Sequence, residues 1–124
     1  MRNTPRTTTS AALAALVDAL GETIDDLEEL VTRAARLREQ VDTGAALREV
    51  MPREQRPLII TKLVEVTDRL HEAGGAVRRA EALQLRAEGC TQEQIAEIFG
   101  VTRQRVAKLL DSPVVKPATK RPRR

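Results

Sequence analysis

Between Thr91 and Leu110 the chain reads TQEQIAEIFGVTRQRVAKLL, and this stretch leaves little freedom in how it folds. Thr91 and Gln94 have the spacing of a capping box, in which each side chain satisfies the other residue's backbone N–H at a helix start. A short helix is predicted over Gln92 to Phe99, with Ile95, Ala96 and Phe99 on one face. Gly100 follows where a helix has to close in a left-handed conformation, which glycine adopts at little cost. Val101 is expected to pack inward at the turn. Thr102 is a second N-cap and opens a helix over Arg103 to Asp111. On that helix Val106, Leu109 and Leu110 face the core, while Arg103, Gln104, Arg105 and Lys108 face out. Two short helices around a glycine turn make a helix-turn-helix.

The outward set is not explained by helix stability. Arg103 and Arg105 stand at the N-terminal end, where the helix dipole disfavours cations. That end of the second helix is the part that meets base edges in the major groove of duplex DNA. Arg grips guanine and Gln grips adenine through paired hydrogen bonds. Lys108, a turn further on, is placed to reach a phosphate. The candidate DNA-binding residues are therefore Thr91, Thr102, Arg103, Gln104, Arg105 and Lys108. Arg78 and Arg79 join them from the helix before, where Arg86 also lines the surface.

TQEQIAEIF followed by GVTRQRV resembles the second half of region 4 in bacterial sigma factors, and the small regulators that share its helix-turn-helix. The resemblance covers Ala76 to Asp111. It implies promoter DNA read through Arg103, Gln104 and Arg105, with the first helix touching the phosphate backbone near Thr91. Sigma factors often carry an acidic residue where this chain has Gln104, so their sequence preference does not transfer. These 124 residues also do not hold the polymerase-binding regions of a sigma factor.

Upstream, residues 1–10 are polar, contain Pro5 and are expected to be disordered, with Ser10 as an N-cap. From Ala11 to about Val41 the pattern is helical. Leu13, Leu20, Leu27, Ala34 and Val41 recur every seven residues, and Val17, Ile24 and Val31 repeat four residues out of phase. β-Branched residues at one core position and Leu at the other favour two strands in a parallel coiled coil. Leu13, Val17, Leu20, Ile24, Leu27 and Val31 are thus the candidate oligomerisation residues of a dimer. Leu16, Leu30 and Leu37 widen the stripe beyond a two-stranded seam, so one side is expected to meet a partner and the other the next helix. The front of this helix is acidic (Asp18, Glu22, Asp25, Asp26, Glu28, Glu29) and its rear mostly basic (Arg33, Arg36, Arg38). A parallel pair would set acid beside acid, an antiparallel pair acid beside base, and the sequence leaves the choice open. Acid pairs such as Asp25–Asp26 read as solvated charge.

A break is expected over Asp42 to Gly44, then a short helix or turn over Ala45 to Met51. Pro57 fits the first position of the next helix. Leu58 to Glu72 carries Ile59, Leu63, Val66 and Leu70 on one face, with Ile60, Val64 and Thr67 beside them. Gly74–Gly75 marks a turn or hinge, although a helix running through it is affordable at about 1 kcal/mol per glycine. Ala76 to Glu88 then supports the helix-turn-helix, with Val77, Ala80, Leu83 and Ala87 inward and Gly89 ending it. The domain map is residues 1–10 disordered, 11–75 a helical oligomerisation region, 76–111 the DNA-binding helix-turn-helix, and 112–124 a disordered basic tail.

Net charge is +3, with +5 in the tail SPVVKPATKRPRR and −5 over Ala11 to Asp42. Basic charge thus gathers at and after the proposed reading helix, and the tail is expected to add salt-dependent affinity for phosphates. With one Phe and no Tyr or Trp, stacking on single strands is disfavoured and a core of Leu, Ile, Val and Ala is implied. The sole histidine, His71, is expected on the surface near a helix end and builds neither a metal cluster nor a Ser-His-Asp set. Cys90 is expected to be buried and inert. No glycine-rich phosphate loop, signal segment or membrane span stands out. The expected protein is all-α, non-enzymatic, without cofactor or metal, cytoplasmic at the nucleoid, and a homo-oligomer on double-stranded DNA. Transcriptional regulation is the default role; the alternatives are DNA organisation in the nucleoid and an interaction module for RNA polymerase.

Overall fold

The structure, a computed structural model, describes residues 4–111 and is all-α. The described residues form five α-helices and no strand: α1 (Pro5–Asp42), α2 (Leu47–Val50), α3 (Ile59–Ala87), α4 (Gln92–Phe99) and α5 (Arg103–Asp111). A single 3-10 turn, Met51–Arg53, follows α2. The basic tail and the first three residues lie outside the described residues, and so do the expectations attached to them. No helix among the described residues is long and apolar enough to cross a membrane.

Two helix boundaries differ from the sequence reading. α1 starts at Pro5, not after Ser10. Proline costs nothing in a first turn, and the Thr4 hydroxyl accepts from the Thr7 N–H at 3.1 Å, so the start is capped one and a half turns early. Downstream, Gly74 and Gly75 make no turn: α3 continues through them to Ala87. The apolar pattern on either side keeps one helical phase, which outweighs the modest propensity cost of two glycines. His71 consequently lies inside a helix and not near its end, though it is exposed. Pro57 precedes α3, and Leu58 provides the first carbonyl, accepting from Lys62 N–H at 2.8 Å.

The described residues nevertheless divide at this glycine pair into two compact units, residues 14–74 and residues 4–13 with 75–111. The start of α1 thus falls in the same unit as the helix-turn-helix.

Residues 14–74 form an antiparallel hairpin of α1 and α3. The inward row of α1 holds Ala19, Thr23, Leu30 and Arg33, all buried, with Leu16 and Leu37 half-buried. Val66 of α3 and Val50 of α2 are the buried apolar residues supplied by the rest of the hairpin. Polar anchors set its register. Arg69 donates to Asp26 at 2.8 Å and to the Thr23 hydroxyl at 3.1 Å, and Lys62 lies 3.8 Å from Asp26. Arg33 donates through Nη2 to the carbonyls of Gln55 and Pro57, both at 2.9 Å, and so ties α1 to the loop before α3. Asp26 is therefore not the solvated charge that its position beside Asp25 suggested. The Arg69 hydrogen bond, helped by the charges of Lys62 and Arg69 and opposed by burial, holds its carboxyl below the ordinary value.

Residues 4–13 and 75–111 form the second unit. Ala82, Ile95, Ala96, Val106 and Leu109 make its core, flanked by Leu85, Cys90, Phe99 and Leu110. Val77 and Ala80 are buried as expected, but Leu83 and Ala87 are exposed and Ala82 takes their place. The reason is that α3 is covered on two sides here. The start of α1 meets it at Ala80, whose carbonyl accepts from the Thr9 hydroxyl at 3.3 Å, while Ala82 and Leu85 turn to the core formed with α4 and α5.

Candidate nucleic-acid interface

The turn that aims α5 is built from two glycines and two threonines. Gly89 ends α3 at φ +103°, with Cys90 N–H donating to the Leu85 carbonyl at 3.0 Å. Thr91 then opens α4 with both halves of a capping box: Gln94 N–H donates to the Thr91 hydroxyl at 3.1 Å, and Thr91 N–H donates to Gln94 Oε1 at 2.8 Å. Gly100 closes α4 at φ +71°, where Val101 N–H reaches the Ala96 carbonyl at 3.0 Å and Gly100 N–H the Glu97 carbonyl at 3.3 Å. This double closure is the Schellman pattern, and it requires the left-handed residue that glycine supplies. Thr102 opens α5, accepting from Arg105 N–H at 3.1 Å. One detail differs: Val101 stays 39% exposed, because the left-handed step at Gly100 turns its side chain away from the core.

Val106 and Leu109 anchor α5 from below. At about 100° per residue, Gln104 and Lys108 then lie along the line opposite that anchor, and Arg103 and Arg105 flank it on either side. All four side chains are exposed, as are Thr91 and Thr102. An open depression of about 580 Å³ joins the end of α3 to the starts of α4 and α5. It is lined by Arg86, Cys90, Thr91, Gln92, Glu93 and Arg103, with Gly89 at its edge. The structure thus brings Thr91 and Arg103 together and adds Arg86. The sequence pointed to Arg86 only as one of three arginines on the same helix.

The other two arginines have different surroundings. Arg78 lies over the Phe99 ring at 4.2 Å from its centroid and 3.9 Å from Glu81, a position that secures α4 against α3. Arg79 is half-buried. Cys90 is half-buried rather than buried, since it faces the depression as well as the core. Among the described residues no cluster of His, Cys, Asp or Glu could hold a metal ion.

Residues 76–112 match a family model, that of the homeodomain-like domain. They carry a helix-turn-helix of the DNA-binding kind. The match spans α3 from Ala76 onward, α4 and α5, so it takes in the depression and the outward face of α5. No curated protein and no solved structure matches the chain. Within the matched residues α5 is the second helix of the helix-turn-helix pair.

Proposed function

We propose that the protein is a regulator that reads duplex DNA through α5 and acts as an oligomer. The observation that carries the reading is the arrangement of exposed side chains around the caps: Gln104 and Lys108 along the outer line of α5, with Arg103 converging on Arg86 and Thr91. Gln104 and Arg105 supply base-edge contacts, Arg103 works at the boundary between base and backbone, and Arg86, Thr91 and Lys108 supply phosphate contacts. The resemblance to sigma region 4 agrees on base reading by Gln104 and Arg105 and on a backbone contact near Thr91, and it would place Arg103 on the bases as well. Pairing through the row Leu13, Val17, Leu20, Ile24, Leu27 and Val31 would let two reading helices share one duplex, so that site spacing follows from the geometry of the pair.

The test is a salt titration of binding to random and selected duplex fragments. Gln104→Ala is expected to cost about 1–3 kcal/mol on the preferred site and little on random DNA. Arg86→Ala is expected to weaken binding to all sequences and lower the salt slope by about one. If the parent protein shows no salt-dependent duplex binding at low ionic strength, the reading fails.

A further inference from the structure

Each helix of the hairpin carries a second apolar row that its own chain leaves uncovered. On α1 the row is Val17, Leu20, Ile24, Leu27, Val31 and Val41, each between 44% and 68% exposed apart from Leu27 at 42%. On α3 it is Ile60, Leu63 and Val64, between 38% and 68% exposed. At about 100° per residue both rows are displaced from their helix's inward row by roughly a quarter to a third of a turn, in the same rotational sense. The two helices run antiparallel, so the same sense of rotation brings both rows to one side of the hairpin. The result is an apolar face two helices wide. Its extent is on the order of the ~800 Å² per partner of a standard interface, and more than a monomer commonly leaves in water.

We propose that a second copy of this chain covers the face, docked antiparallel, so that two hairpins close into a four-helix bundle. The proposal rests on the oligomer reading above and specifies its partner, surface and direction. A two-fold contact needs a surface that is complementary to itself. The α1 row meets that condition about its own midpoint, near Glu29. An antiparallel copy sets Val17 opposite Val41, Ile24 opposite Ala34 and Leu27 opposite Val31, and lays the aliphatic stem of the exposed Arg38 over Leu20 with its guanidinium in water. Asp26 is held between Lys62 and Arg69, which places the α1 midpoint level with Leu63, the centre of the α3 row. Both rows are therefore centred on the same axis. A second strand on α1 alone would leave Ile60 and Val64 in water, and two hairpins cover them.

The experiment uses the full chain with Cys90→Ser and Asp18→Cys, spin-labelled at residue 18, with mass measured by light scattering and the label separation by pulsed electron paramagnetic resonance. The expected result is twice the 13.7 kDa chain mass and a separation of about 33 Å, the axial rise between residues 18 and 40 at about 1.5 Å per residue. A dimer with labels about 10 Å apart, the spacing of neighbouring helices, means parallel pairing and overturns the proposal. A monomer at tens of micromolar, or a larger assembly, overturns it as well. Ile24→Glu is expected to give a monomer with its helix content intact, since Ile24 is 59% exposed in the single chain. None of these readouts involves DNA, so the DNA-binding reading stands or falls separately.

Discussion

Alanine in place of Gly100 and, separately, of Gly75 adds the same atoms within the same compact unit, and the two substitutions are expected to move stability in opposite directions. Gly100 closes α4 at φ +71°, and a Cβ there meets nothing within 4 Å, so only the backbone responds. A left-handed conformation costs an L-residue about 1–2 kcal/mol. Reduced freedom of the unfolded chain offsets about 0.4–1 kcal/mol of that, leaving a net loss near 1 kcal/mol. Gly75 lies inside α3, and its nearest neighbour would be the mobile tip of Arg79, at an ordinary 3.5 Å. Alanine there gains about 0.8–1 kcal/mol of helix propensity. The variants should therefore differ by about 2 kcal/mol, or about 8 °C in melting midpoint for a domain of this size. Thermal and urea unfolding followed by circular dichroism, at one fixed protein concentration, measures both. A Gly100→Ala protein as stable as the parent would refute the left-handed closure that aims α5. A Gly75→Ala protein destabilised as much as Gly100→Ala would refute the continuous α3.

Two further outcomes follow from the packing and the ion pairs. Ile95→Ala empties a site with 0% exposure at the centre of the helix-turn-helix and is expected to cost about 2–5 kcal/mol. Val101→Ala, at a position 39% exposed, is expected to change stability by less than about 1 kcal/mol in the same thermal assay. Asp26 has a folded pKa lowered from 3.8, chiefly by its Arg69 hydrogen bond. Its contribution to stability is thus complete above that unfolded value and is lost as pH falls below it toward the folded one. Asp26→Asn should destabilise the hairpin at neutral pH and flatten this acid-side loss, as read from urea midpoints across the range; an unchanged acid profile would show that Asp26 is not paired in solution.

The helix-turn-helix was legible because its signals are local. A capping threonine, a glycine that must turn left-handed and an apolar triad each act within four residues, so Gln92–Phe99 and Arg103–Asp111 fall where the pattern placed them. The misread residues are those whose environment comes from distant segments. Asp26 looks like solvated charge until Lys62 and Arg69 lie beside it. Leu83 looks inward until the start of α1 takes one side of α3 and the core with α4 the other. Arg86 is separated from Arg78 and Arg79 only by what each side chain meets: the depression at the turn in one case, the Phe99 ring and Glu81 in another.

The sequence by itself determined that the chain is helical, where its short helices start and stop, and that α1 carries more apolar surface than one neighbour can cover. Those properties follow from caps, turns and side-chain periodicity, whose energies are set within a few residues of the chain. Tertiary structure decided that the start of α1 belongs with the helix-turn-helix and that α3 runs through its glycine pair. It also decided which α1 row packs inward around Thr23, Asp26 and Arg33, and so which row is left exposed. Each of these depends on side chains brought together from dozens of residues apart, where burial and pairing, rather than local propensity, set the energy.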